Sequence, residues 1–301
     1  MIVSASYRTD IPAYYGEWFI NRLAAGYCMV ANPYGGRPYR VPLRREEGVE
    51  AFVFWTRDPE PFIDCLRVVA REHGFPFVVQ YTIIPYPEAL DREVTDPERA
   101  AACVHLLRDE YGPRAMVWRY DPIVFSSLTP PEWHLERFET LASSLEGATD
   151  EVVVSFAQVY RKTERNLDAA AREHGFTWED PPDDAKRRFL LELSSTASGH
   201  GMRLSICAQP RLLAQGVEPA SCINPGRLGD VARHLGIEPA TVRARRKPHR
   251  EDCGCWESRD IGAYHTCPHG CTYCYAVNDR ERAAHRFAAH DPEGEFLLPP
   301  G

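Results

Sequence analysis

Seven short runs of apolar or β-branched residues, at positions 2–6, 28–31, 51–55, 77–83, 115–118, 151–156 and 202–206, punctuate the first two thirds of the chain. Each has the length of a buried strand, and most are followed by a stretch of helical period. This alternation constrains the fold more than any other feature, because strands joined through helices come back parallel to one another. The helix starts are marked by Asp58-Pro59, Asp96-Pro97 and Thr129-Pro130, each a capping oxygen ahead of a proline suited to the first turn. Gly74, Gly112 and Gly175 mark stops, and Ala-Arg-Glu-His-Gly-Phe occurs at 70–75 and again at 171–176 as repeated helix-ending chemistry. The expected fold is α/β, a complete or partial (β/α) TIM-like barrel over residues 1–225. An open doubly wound sheet is the alternative, although no glycine-rich phosphate loop follows the first run.

A barrel carries its active site at the C-terminal ends of its strands, and those ends are polar here. The first run leads into Tyr7-Arg8-Thr9-Asp10, the second into Asn32-Pro33, the third into Trp55-Thr56-Arg57, the fifth into Arg119-Tyr120-Asp121 and the sixth into Gln158 and Tyr160, while Gln80 and Thr82 lie in the fourth. Arg8, Asp10, Arg119 and Asp121 are the expected catalytic residues, and Thr56 and Asn32 are expected to hold a cofactor. Each alone reads equally well as a loop-shaping or ion-pairing residue; their coincidence at one rim is what points to a site.

Ten cysteines need a separate account. Cys28, Cys65 and Cys103 sit in apolar surroundings and read as small core residues. The other seven fall in the last third. The chain has 43 acidic against 35 basic residues, no long apolar run and no signal-peptide pattern, so it is expected to be soluble and cytoplasmic, with no membrane partner and poor footing for nucleic acid. A reducing compartment disfavours disulfides, which leaves the seven thiols as ligands. Cys267-x3-Cys271-x2-Cys274, on a loop with Pro268 and Gly270, offers three thiolates and thereby leaves one iron of a 4Fe-4S cluster open to a cofactor or substrate. Zinc competes, with His265 and His269 at hand. Cys253-x-Cys255, together with Cys207 after the last run and Cys222 in the next loop, suits a closed second site holding either an iron-sulfur cluster or zinc, unless the two pairs never meet. Residues 238–265 are charged and poor in apolar side chains, so a metal would supply folding energy that a core does not.

The triad spacing, the aromatic Tyr273 before its last cysteine and the strand-helix alternation resemble the radical S-adenosylmethionine superfamily. The whole chain resembles an uncharacterised bacterial family with a C-terminal cysteine cluster of that kind. The matching stretches are Ser4-Ala5-Ser6-Tyr7-Arg8-Thr9-Asp10-Ile11-Pro12, Val53-Phe54-Trp55-Thr56-Arg57-Asp58-Pro59, Trp118-Arg119-Tyr120-Asp121-Pro122-Ile123, Cys253-Gly254-Cys255, Asp260-Ile261-Gly262-Ala263-Tyr264 and Tyr273-Cys274-Tyr275-Ala276. The resemblance implies a 4Fe-4S cluster on Cys267, Cys271 and Cys274, with Tyr273 beside the cofactor. It further implies S-adenosylmethionine on the open iron, an electron donor, and a small-molecule substrate that loses a hydrogen atom. One departure matters: in such enzymes the triad follows the first strand, whereas here it follows all the runs. The permuted arrangement requires residues 226–301 to pack on the barrel mouth, with 258–264 near the rim and 278–290 as the next helix. The alternative class is a non-enzymatic iron-sulfur or zinc protein serving electron transfer, structure or metal-dependent DNA binding. For the last, residues 230–247 resemble a helix-turn-helix, with Gly236 at the turn and residues 241–246 as a basic recognition helix. A related reading that the radical S-adenosylmethionine likeness suggests is a DNA-acting repair lyase, in which Arg243, Arg245, Arg246, Lys247 and Arg250 would meet phosphates.

Overall fold

The structure is a computed structural model that describes residues 1–32, 35–93, 96–249 and 251–299; Pro33 and Arg250 lie outside them. In chain order the strands are β1 (Ile2–Ala5), β2 (Tyr27–Val30), β3 (Tyr39–Pro42), β4 (Ala51–Thr56), β5 (Phe77–Thr82), β6 (Met116–Ile123), β7 (Phe125–Ser126), β8 (Glu151–Phe156), β9 (Trp178–Glu179), β10 (Arg203–Ile206), β11 (Val217–Pro219) and β12 (Ser258–Asp260). The helices are α1 (Ile11–Tyr14), α2 (Gly16–Ala25), α3 (Ile63–Arg67), α4 (Pro97–Tyr111), α5 (Pro131–Ser144), α6 (Arg161–His174), α7 (Asp183–Gly199), α8 (Pro225–Leu235) and α9 (Arg280–Ala288).

One eight-stranded sheet runs in the order β11-β10-β8-β6-β5-β4-β1-β12, every pairing parallel. Its strands are buried on both faces, as the near-continuous apolar runs require. The crossover helices start where capping predicts. Asp96 accepts the Glu98 and Arg99 N–H groups at the head of α4, which then buries Ala100, Cys103, Val104 and Leu107 against the sheet. The sheet is thus mixed α/β, as expected, but strand pairing does not close it into a barrel: β11 and β12 are its edges. The segments flanking those edges meet instead. Trp256 N donates to Ile223 O at 3.1 Å, and Ser221 Oγ donates to Gly254 O at 3.0 Å.

Several expectations change. The run at 28–31 is not a sheet strand; it forms the antiparallel hairpin β2–β3, because β3 begins at Tyr39, too soon for a crossover helix to intervene. Asn32 therefore follows a hairpin strand, not a strand of the parallel sheet. The run at 115–118 continues to Ile123, so Arg119 and Asp121 are buried within β6 instead of ending it. The edge strands β11 and β12 escaped notice because Val-Glu-Pro and Ser-Arg-Asp carry no apolar run. The helix-turn-helix is overturned: α8 stops at Gly236 and no helix follows at 241–246. The candidate phosphate contacts are engaged elsewhere, Arg245 and Lys247 with Glu257, and Arg246 over the Trp256 ring. No helix among the described residues is long and apolar enough to cross a membrane.

His134 on α5 is wholly buried; its Nδ1 accepts from Tyr120 OH at 2.9 Å, and its Nε2 donates to Val124 O at 3.1 Å. Burial pushes its pKa down from 6.5 to about 4. Because the folded value is the lower one, its neutral form favours the native state above pH 6.5, and that contribution is lost as pH falls towards 4. At ~1.4 kcal/mol per pKa unit this amounts to roughly 3 kcal/mol. Urea titrations between pH 7 and 4.5 are expected to show this slope, and His134→Gln to flatten it.

Candidate metal centre

The tail reaches the sheet through β12, which pairs with β1 in the register Ile2 to Ser258 and Ser4 to Asp260. Asp260 makes the junction. Its buried carboxylate accepts from Ser4 Oγ (2.9 Å), Ser6 Oγ (2.8 Å), Tyr7 N (3.1 Å) and Gly262 N (3.0 Å), with Arg8 Nε at 3.7 Å. Burial raises its pKa, while Arg8 and the donors oppose that rise. Gly262 is required by close approach, since a Cβ there would stand 2.0 Å from Ser6 Oγ. The chain therefore leaves β12 at the same end of the sheet as the loops after β1 and β4, and runs directly into the cysteine triad.

Two buried polar sets hold the triad loop. In the first, Asp10 Oδ1 caps α1 by accepting Ala13 N (2.9 Å), and its Oδ2 accepts both Arg57 N (2.7 Å) and His269 Nε2 (2.8 Å). His269 Nδ1 meets Tyr14 OH at 2.9 Å, with Glu93 beyond. Burial alone would lower His269, but its bonds to Asp10 and Glu93 overcome this and raise it to about 9. As placed, both nitrogens of this imidazole are occupied, Nε2 by Asp10 and Nδ1 by Tyr14. In the second set, Arg57 pairs with the fully buried Asp91 and donates to Tyr273 OH at 2.9 Å, while Tyr273 OH donates to Asp91 Oδ2 at 2.8 Å. Tyr15 OH also donates to Thr266 O at 2.6 Å, and Thr272 N and Oγ1 both donate to Leu90 O.

These anchors bring Cys267, Cys271 and Cys274 into one another's electrostatic field. Each thiol is half-buried by exposure, and burial is the main cause of its raised pKa. For Cys271, Asp91 adds to that rise and Arg57 counters it. Ala276 N donates to Cys274 Sγ at 3.3 Å. Thiolates so placed need a cation to form, and a metal supplies one on binding.

The four remaining cysteines also meet. Cys222 Sγ lies 3.9 Å from Cys207 Sγ, and contacts from Cys222 to Cys255 and from Cys255 to Cys253 complete a row. Arg119 Nη1 donates to Cys222 Sγ at 2.9 Å and to Gln80 Oε1 at 3.2 Å, and Gln80 Nε2 donates to Cys222 O at 2.9 Å. Arg119 is clamped by both oxygens of Asp121 and lies over the Trp55 ring, and Asp121 accepts Ser155 Oγ at 3.2 Å. At the other end Gly254 admits the chain, since a Cβ there would stand 2.5 Å from Ala220 O. The contact with Cys207 lowers Cys222, but Cys255 and burial outweigh it and push the thiol up to about 12. The contact with Cys255 holds Cys253 down at about 7. Cys207 also acts on Cys253 across the group, and among the described residues no group of three or more His, Cys, Asp or Glu side chains is set to hold a metal ion.

The candidate residues thus divide between two places. Arg8, Asp10 and Tyr273 lie on the triad side, and Arg119 and Asp121 against the four-thiol row. The buried Thr56 uses its hydroxyl to accept Asp58 N at 2.9 Å, shaping the turn after β4, and Asn32 stands beyond β2, outside the parallel sheet. Cys28 and Cys103 are buried and Cys65 half-buried, all three away from both groups. Sequence reasoning offered His269 only as a zinc ligand, missing its bonds to Asp10 and Tyr14, and passed over Asp91. The position of His269 between two ligand cysteines was a usable signal; Asp91 gave none, being one acid in a polar loop.

Fold and thiols together define an α/β protein whose cysteine-rich tail is built into its parallel sheet. The family model described as a domain of unknown function (DUF1848) matches residues 2–276, and the chain belongs to that family. No curated protein matches it.

Proposed function

We propose that the chain is an iron-sulfur enzyme of the radical S-adenosylmethionine type, with a 4Fe-4S cluster on Cys267, Cys271 and Cys274. One observation carries this reading. The edge strand β12 leads straight into the triad loop and on to α9, and the next strands across the sheet are β1, β4, β5, β6 and β8. Read from β12, the strands follow one another across the sheet in sequential order, as they would in a partial barrel whose first strand has moved to the end of the chain. The triad then follows that first strand, as the resemblance requires.

With S-adenosylmethionine on its open iron, such a cluster supplies one-electron cleavage of a sulfonium bond. The chain's own residues prepare the place. Asp10 and the Arg57–Asp91–Tyr273 set fix the loop that carries the three thiols. Arg8, lying over the Tyr7 and Tyr264 rings and paired with Asp260, presents a cation at the same end of the sheet for an anionic group of substrate or cofactor. Lys162 and Arg280 interact with Cys274 and Cys271, and Lys162, Arg282 and Arg286 crowd His265. This positive rim, on a chain of net charge -8, suits an acidic electron donor.

Protein purified without oxygen is expected to contain iron and sulfide in equal amounts and, given reductant and S-adenosylmethionine, to release 5'-deoxyadenosine. Cys271→Ser is expected to abolish the release and the iron of this site. Zinc in place of iron overturns the cluster, and iron without cleavage overturns the enzyme.

A further inference from the structure

Cys207, Cys222, Cys253 and Cys255 come from three separate stretches of chain, and none of them is in a disulfide. Cys207 directly follows β10, Cys222 follows β11, and the Cys253–Cys255 pair precedes β12, so the two edges of the sheet deliver them to one place. We infer that these four thiols form a closed second metal site that takes a single zinc ion and fastens the β11 edge to the β12 edge.

The spacing favours one ion over a cluster. A tetrahedral zinc with bonds of ~2.3 Å holds its sulfurs about 3.8 Å apart, and Cys222 Sγ and Cys207 Sγ already stand 3.9 Å apart. A 4Fe-4S cluster puts each thiolate on a different iron and spreads the sulfurs beyond contact, and a 2Fe-2S cluster keeps them in contact only two by two, whereas here three successive pairs touch. Cys253, the outer member of this row of contacts, is the thiol placed to close on the ion. Cys253 is half-exposed on a loop, whereas Cys207, Cys222 and Cys255 are buried. Folding Cys253 in over the other three converts the row into a tetrahedron.

The surroundings suit a site of four thiolates and one dication, which carries a net charge of about -2. Arg119 is buried against it and donates Nη1–H to Cys222 Sγ at 2.9 Å, so that a fixed positive donor meets the sulfur bearing the charge. Binding is a proton exchange, in which each thiol gives up its proton to solvent as it ligates, and no oxidant or reductant takes part. The place also needs a tie. From 238 to 254 Val242 is the one buried apolar side chain among the described residues, and the edges touch through few backbone bonds such as Trp256 N to Ile223 O. Metal ligation supplies there the free energy that apolar burial elsewhere provides.

This site is independent of the triad, and its test reads a different metal. Zinc and iron are counted together on wild type, Cys271→Ser, Cys222→Ser and Cys253→Ser, all purified anaerobically. The expected result is one zinc per chain in wild type and Cys271→Ser, and its loss in Cys222→Ser and Cys253→Ser while the iron of the triad stays. Cys253→Ser alters a half-exposed loop residue and keeps the test open where Cys222→Ser fails to fold. Cobalt substituted for zinc is expected to give the intense sulfur-to-metal charge-transfer and visible bands of a tetrahedral tetrathiolate. Absence of zinc from wild type, retention of zinc in Cys253→Ser, or iron in excess of one cluster each overturns the proposal, whatever becomes of 5'-deoxyadenosine formation.

Discussion

Asp260→Ala is expected to destabilise the chain by about 3–5 kcal/mol, the range for breaking a buried, hydrogen-bonded charge pair. Its carboxylate is the common acceptor of two hydroxyls and two backbone N–H groups, drawn from β1, the segment after it and the turn after β12. Removing it orphans four donors, three of them buried, and leaves Arg8, only 10% exposed, without its counter-charge. The loss falls on the one strand pair that joins the tail to the body of the sheet. A drop in the urea midpoint at unchanged slope measures the effect. Iron content, counted on the folded fraction, is expected to fall with it, because the triad loop hangs from β12. Asp260→Asn keeps the shape and one strong acceptor, and is expected to recover part of both losses. A change below 1 kcal/mol for Asp260→Ala would mean that β12 is held mainly by its ladder.

Arg57→Met is expected to be nearly as damaging, for a different reason. The guanidinium is the counter-charge of Asp91, which is fully buried, and it also donates to Tyr273 OH, two residues from Cys271 and one from Cys274. Methionine fills much of the space but leaves the Asp91 charge uncompensated, at a cost of about 3–5 kcal/mol. The pair itself is a different matter. Replacing both partners by apolar residues removes two desolvation costs together, so Arg57→Met with Asp91→Leu is expected to regain most of the stability lost by Arg57→Met alone. Iron content separates the two roles. If the pair positions the loop as well as satisfying its own charges, the double variant recovers its urea midpoint while its iron stays low. Recovery of both would reduce the set to a structural ion pair.

Much of the fold was legible because a parallel sheet writes itself in runs of apolar residues. Phe77–Thr82 and Glu151–Phe156 are buried on both faces, so their sequences have nowhere to place a polar residue except at a specific bond, such as that of Gln80. The runs at 28–31 and 115–118 show the limit of the signal. A buried apolar run looks the same in a hairpin as in a sheet, and what separates them is the length of the connection that follows. At 115–118 the strand continues through Arg119 and Asp121 because each satisfies the other's charge in the interior, a pairing that apolar patterning does not register.

The cysteines divide in the same way. Cys28 and Cys103 stay in apolar periods and pack as core, while the seven others are gathered in the last third of the chain, so the separation of structural from ligand-like thiols rests on their place in the sequence. Their partners do not. Asp260 bonds to Ser4 across 256 positions of sequence, and His269 to Asp10 across 259. Local chemistry determined that this chain builds parallel strands between helices and that its last third carries closely spaced thiols, because burial and spacing are properties of neighbouring residues. Only the tertiary structure decided that a three-residue strand of serine, arginine and aspartate completes the sheet beside β1, and that two groups of thiols gather around it. A buried carboxylate selects its donors by position in space, and no local pattern of residues records that choice.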